Sequence, residues 1–162
     1  MAQRLPPKRK LWDRLLQNGP QGCTLKVLGK VAHPKELTID ELRKIGFCEQ
    51  ITEHYCIQGW SGIAKWGGTP IAKLLEVVKP LPSAKYVVFF SHELTLLAYE
   101  MNGQPLNIYH GAPLRLRCEN ELGFKQVKWI EAIEFVEDYK HLGARQGGYN
   151  EDHEFYSWRS PI

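Results

Sequence analysis

Every periodic stretch of this chain is short and ends on a turn former, and that punctuation limits the fold more than any other feature. Thr24–Val31 alternates weakly, as a strand does, until His33-Pro34 breaks it. Thr38-Ile-Asp-Glu41 is a capping box, in which hydroxyl and carboxylate satisfy the first free amides of a helix that runs to about Ile45 and ends at Gly46. Thr69-Pro70 predicts a second helix, with a Thr N-cap, Pro at the first helical position and Ile71, Leu74, Leu75 and Val78 on one apolar face. Pro80 and Pro82 stop it. Tyr86–Phe90 and Thr95–Met101 read as strands, and Asn102-Gly103 as a hairpin turn, since both residues tolerate positive φ. Leu114–Cys118 alternates, with Arg115 and Arg117 on one face, and Val127–Val136 reads as a strand that can roll into a less regular stretch. Helices and strands do not alternate regularly. The predicted class is therefore mixed α+β, a largely antiparallel sheet core with a few short helices.

A length of 162 residues with 43% hydrophobic and 24% charged residues suits a single core. We expect an N-terminal arm over residues 1–23, with one short helix near Lys10–Gln17, and one domain over 24–162, whose end from Gly143 is loop with aromatic anchors. The balance of 21 Lys and Arg against 18 Asp and Glu is too even for a polybasic nucleic-acid binder, although a local patch is compatible with it. No apolar stretch approaches the roughly 20 residues of a membrane span. The first ten residues lack the apolar centre of a secretory signal, so the expected compartment is the cytoplasm. Cys23, Cys48, Cys56 and Cys118 are widely spaced and are expected to be reduced.

Two stretches could carry chemistry. In His54-Tyr-Cys56-Ile-Gln-Gly-Trp60-Ser61-Gly62, a thiol is expected between a helix and a Gly-rich turn that brings backbone close to a ligand. The plain alternative is a buried structural cysteine. A zinc site from Cys48, His54 and Cys56 lacks the usual ligand spacing. From His110 to Lys128, the cations Arg115, Arg117, Lys125 and Lys128 outnumber Glu119 and Glu121, and Gly-rich turns flank them. Guanidinium groups and free amides so placed can cradle a phosphate; a solvated strand face is the alternative.

Cys56-Ile-Gln-Gly-Trp-Ser-Gly, Trp66-Gly-Gly, Leu97-Ala-Tyr-Glu-Met-Asn-Gly-Gln-Pro-Leu106, His110-Gly-Ala-Pro-Leu-Arg115 and Gly123-Phe-Lys-Gln-Val-Lys-Trp-Ile130 occur in that order. Together, over about residues 24–158, they resemble the molybdopterin-binding catalytic domain of the sulfite oxidase family, in its small forms without a haem domain. The resemblance implies a molybdenum cofactor, with one pyranopterin dithiolene on the metal and Cys56 as the protein's thiolate ligand. A soft thiolate suits a metal already bound by sulfur. It further implies His110, Arg115 and Lys128 along the cofactor, with Phe124, Gln126 and Val127 around its phosphate. Trp60 and Ser61 are implied as walls of the metal pocket, where Trp60 could equally be packing.

The activity implied is two-electron oxygen-atom transfer, either oxidation of a small compound or reduction of an S- or N-oxide, with a separate electron-transfer partner. No Cys-x-x-Cys-His haem motif occurs in the chain. The sequence departs from the family twice. The cations that follow the cysteine in sulfite oxidisers are replaced by Ile57, Gln58, Gly59 and Trp60, so a neutral oxide fits as well as sulfite. Only His92-Glu93-Leu94 stands where relatives have a longer segment at the pocket mouth. Two other readings compete: an inactive cofactor- or anion-binding module of this fold, and a nucleic-acid binder using Arg115, Arg117, Lys125 and Lys128 with Trp129.

Overall fold

The computed structural model describes residues 13–17, 19, 22–56, 58–85, 95–119 and 121–138. The expected strand Tyr86–Phe90, the short connection His92–Leu94 and the segment from Gly143 lie outside them.

A helical turn, α1, covers residues 13–17. Strand β1 (Thr24–Gly29) pairs antiparallel with β2 (Lys35–Thr38), and helix α2 (Ile39–Ile45) follows directly. Its capping box is complete: Thr38 Oγ1 accepts from the Glu41 amide at 3.2 Å, and the Glu41 carboxylate accepts from the Thr38 amide at 2.8 Å. β3 (Cys48–Tyr55), β4 (Ser61–Pro70) and β5 (Leu96–Met101) form an antiparallel sheet, and helix α3 (Ile71–Val78) leaves from the end of β4. β6 (Gln104–Pro105) returns along β5 through Asn102 and Gly103, with φ of 54° and 75°, the paired positive values that a tight hairpin needs. β7 (Arg115–Arg117) pairs with the first half of β5. β8 (Ala132–Phe135) runs parallel to β1 and completes a three-stranded sheet in the order β2-β1-β8.

The main core lies between the two sheets and the helices. Leu25, Val27, Leu42, Leu74, Val78, Leu97, Leu114, Leu116, Ile133 and Phe135 are all buried in it. Strand alternation splits β5: Leu97 and Tyr99 enter this core, whereas Leu96 and Ala98 face a second cluster with Ala64, Trp66, Leu106 and Ala112. β7 divides in the same way, with Leu116 in the main core and its two arginines over Trp66. Gly68 sits at a bulge where a β-carbon would come within 2.3 Å of the Leu97 carbonyl oxygen, so only glycine lets β4 approach β5 there.

Three expectations are corrected and one alternative is removed. Thr69 does not cap α3: it is the last but one residue of β4, and its hydroxyl donates to the Leu42 carbonyl at 2.7 Å, tying the sheet to α2. Pro70 takes the N-cap place. The element before Cys56 is a strand, not a helix; β3 is too polar to show an apolar alternation. The strand expected over Val127–Val136 is confined to Ala132–Phe135, because Trp129 turns the chain at φ 57°. Arg115 and Arg117 are not a solvated face but are 4% and 0% exposed.

The arm begins to pack before β1. Leu15 is buried against Cys23 with Ile108 and Trp129 alongside, and Arg14 pairs with Glu131 at 3.2 Å. Among the described residues, no helix is long and apolar enough to cross a membrane.

Candidate functional site

Residues 56–60 connect β3 to β4. The Cys56 amide donates to the Trp60 carbonyl and the Gly59 amide to the Cys56 carbonyl, both at 2.9 Å, and Gly59 takes a φ of 87° to close the turn. The half-exposed Cys56 thiol thus stands at the base of a short reverse turn, 4.0 Å from Gln58 Oε1. The two-residue period of β3 gives its faces different jobs. Glu53 is on the outer face, where its carboxylate accepts from the Tyr55 hydroxyl at 2.7 Å and from the Ser61 hydroxyl at 2.6 Å. Those two bonds hold the Glu53 carboxyl below its usual range. Thr52 and His54 are on the inner face and meet β7.

The inner face is built around arginine. The Arg117 guanidinium donates to Thr52 Oγ1, to Gln126 Oε1, to His54 Nδ1 at 3.2 Å and to the Glu53 carbonyl at 3.4 Å. Because arginine only donates, Nδ1 of His54 is the acceptor, which fixes the proton on Nε2. Burial, reinforced by Arg115 and Arg117, pushes the His54 imidazole down to about 4, so it is neutral near pH 7. Its ring lies 5.5 Å from that of Trp60, which is otherwise exposed. A β-carbon at Gly123 would come within 2.4 Å of His54 Nε2, so the 3-10 turn Gly123–Lys125 can seat against the ring only with glycine there.

Arg115 faces the same way. Its guanidinium carbon lies 4.9 Å from the centre of the Trp66 ring and that of Arg117 lies 5.0 Å from it. Burial, together with the Arg117 charge, pulls Arg115 down to about 10, which still leaves it a cation near pH 7. Arg115 Nη1 donates to the His110 carbonyl at 3.2 Å. Lys128 bridges the strand beside it and donates from Nζ to the Tyr109 carbonyl at 2.8 Å. Gly111, at φ 112°, brings the three together: a β-carbon there would meet Lys128 Cγ at 3.0 Å and Arg115 Cβ at 3.2 Å.

Among the described residues, neither buried guanidinium has a carboxylate within ion-pair distance, and the Nε atoms of both are buried without a hydrogen-bond partner. Two like charges buried side by side without a counter-ion are costly unless an anion joins them. A cationic cradle with spare donors, next to a strand that ends in a half-exposed thiol, fits a cofactor with a phosphate at one end and a thiolate-seeking metal at the other.

The candidates from sequence are placed as follows. His110, Arg115 and Lys128 meet around Gly111, although the His110 imbidazole side faces solvent. Phe124 is in the turn Gly123–Lys125. Gln126 is buried and fully engaged, donating to the carbonyls of Cys118 at 3.2 Å and Glu121 at 2.9 Å while accepting from Arg117. Val127 is exposed, and its carbonyl accepts from the Leu116 amide. Trp60 flanks His54, while Ser61 is held on the outer face by Glu53. Cys48 opens β3 and Cys56 follows its last residue, a strand's length apart, so the two cannot share the zinc ion of the alternative reading. Sequence reasoning missed Thr52 and gave neither His54 nor Trp66 its place; the even spacing of Thr52, His54 and Cys56 was the available signal. A cavity of about 470 Å³ lies between Cys23, Asp40, Tyr99 and Leu106, and none of the candidate site residues lines it.

The chain is similar to known proteins over most of its length. The protein-methionine-sulfoxide reductase catalytic subunit MsrP of Xanthomonas axonopodis is 35% identical over 144 residues, covering 70% of this chain and 45% of that protein. MsrP of Ralstonia nicotianae is 31% identical, covering 73% and 45%. This chain therefore spans about half the length of these relatives. Among solved structures, the sulfane dehydrogenase SoxCD of Paracoccus pantotrophus shares the fold at a TM-score of 0.63 and 20% identity, over 74% of this chain and 39% of that one. Residues 15–142 match the oxidoreductase molybdopterin-binding domain, and the chain belongs to that family.

Proposed function

We propose that this chain is the molybdopterin-binding part of an oxidoreductase that reduces a neutral S-oxide such as methionine sulfoxide, with electrons from a separate partner. The observation that carries the reading is the pair of buried arginines, without acidic partners among the described residues, beside the strand that leads into the Cys56 thiol. The relatives' names supply the substrate class and describe those proteins as catalytic subunits.

Each residue has a role in this reading. Cys56 offers its sulfur as thiolate to the metal. Arg115 and Lys128 hold the cofactor's phosphate, and the turn at His110-Gly111 holds both in position. The bound group supplies the two-electron oxygen-atom chemistry. The 56–60 turn offers exposed Gln58 and Trp60 and no cation, which suits an uncharged, polarisable substrate better than an anion. Trp60 gives such a substrate an apolar wall and Gln58 a hydrogen-bonding amide.

The test is expression with ample molybdate, followed by metal analysis, fluorescence of the oxidised pterin and assay of methionine sulfoxide against a reduced viologen dye. Near-stoichiometric molybdenum with sulfoxide-dependent dye oxidation is expected. Molybdenum without turnover on any S- or N-oxide would make the chain a cofactor-holding module, and absence of molybdenum would overturn the reading.

A further inference from the structure

The two buried arginines are not equivalent. Arg115 gives one Nη to a carbonyl and keeps other donors for a ligand. Arg117 is fully buried and gives both Nη groups to the protein, with three of its four acceptors on consecutive residues of β3. Those residues, Thr52, Glu53 and His54, are the last but one stretch of strand before Cys56. The fourth acceptor, Gln126, is itself fixed to the carbonyls of Cys118 and Glu121. At this end β3 is otherwise held by β4 and the 56–60 turn, through its ladder to Tyr55, the Glu53–Ser61 bond and the Cys56 amide bond to Trp60. It is an edge strand whose described pairing is with β4 alone, and its outer face carries Ile51, which is 73% exposed.

We propose that Arg117 is a positioning residue: its forked guanidinium fastens the end of β3 to β7 and to the 123–126 turn, and so sets where the Cys56 sulfur stands relative to the Arg115–Lys128 cradle. The inference rests on the functional reading above for what Cys56 and the cradle do. The fork itself is a property of the protein without cofactor. A planar guanidinium can reach four acceptors on two elements, and an ammonium on a flexible stem cannot. Charge alone therefore does not substitute for it.

The test uses amide hydrogen exchange on the 162-residue chain made in cells that lack molybdopterin. Arg117→Lys and Arg117→Met are both expected to speed exchange at residues 52–56 by about tenfold or more, while β1 and β2 stay within about twofold of the parent. Thr52→Val removes one acceptor and leaves the charge; it should speed exchange at the same residues, by a smaller factor. Parent-like protection in Arg117→Lys with loss in Arg117→Met would overturn the proposal, because charge would then suffice. A uniform rise across all strands would also overturn it, as a general loss of stability. If neither Arg117 variant folds, Thr52→Val decides: a rise confined to 52–56 supports the proposal and an unchanged pattern overturns it. Failure of the cofactor reading shows separately, as absence of molybdenum from the unsubstituted protein grown with molybdate.

Discussion

The main core and the Trp66 side of the five-stranded sheet share the strands β5 and β7 yet are filled by opposite chemistry. Leu97 and Leu116 point one way into Leu, Val, Ile and Phe; Arg115 and Arg117 point the other way onto an indole. Both sides are closed to water to a similar degree, with Leu97 and Arg117 each 0% exposed. The first side is what holds a fold of this size together. The second buries two cations that have no acidic partner among the described residues: Arg117 spends its donors on β3 and Gln126, and Arg115 keeps donors for something negative. A buried group that costs stability points to function more directly than one that adds to it.

That contrast can be broken at several points. The largest effect is expected at the thiol. Cys56→Ser should lower sulfoxide-dependent turnover by about a thousandfold or more, and the thermal midpoint of the cofactor-free chain should move by no more than about 2–3 °C. Retained turnover would separate the sulfur from the chemistry. On the apolar side, Leu42→Ala should cost about 2–5 kcal/mol in denaturant unfolding, and the molecules that stay folded should keep their molybdenum.

Acid tests the cationic side through His54. Its ring holds a proton at about 4 in the folded chain and at an ordinary 6.5 when unfolded. Between those values the unfolded chain binds more protons, so stability is complete above about pH 6.5 and falls as the pH drops toward 4. Allowing for water that still reaches the half-buried ring, the loss is about 1–2 kcal/mol. Denaturant curves between those pH values should show the slope, and His54→Asn should flatten it.

Arg115→Met sharpens the comparison most by its sign. Removing a buried cation that has no acidic partner among the described residues should stabilise the cofactor-free chain by about 1 kcal/mol while molybdenum content falls. Lower stability in the empty variant would show that the arginine serves the fold. The smallest effect is at the helix cap, where Thr38→Ala should cost about 0.5–1 kcal/mol and leave cofactor content unchanged.

What the sequence disclosed follows the same division. The capping box at Thr38 and the Asn102-Gly103 hairpin were legible because each is a local bargain between side chain and backbone. The apolar face of α3 was legible because Leu74 and Val78 repeat at helical spacing. The burial of the β7 arginines was left open, between a phosphate cradle and a solvated face, because alternation shows that two faces differ, not that both are covered; β5 and Trp66 decide that from far along the chain. β3 was missed because only Thr52 of its eight residues is buried. Thr69 looked like a cap because a hydroxyl before proline is a strong local signal, and a tertiary bond to Leu42 outweighed it. The motifs of the site were readable as a family pattern, whereas the fork at Arg117 joins residues more than 60 positions apart and has no local trace.

The parallel pairing of β1 with β8 joins Val27 to Ile133 and Gly29 to Phe135. During synthesis β1 meets β2 almost at once, but its other edge stays open until Ala132–Phe135 leaves the ribosome. By then β7 and its arginines have already been made. Among the described strands β8 is thus the last to be made, and until it is in place one edge of β1 stands open to any other strand.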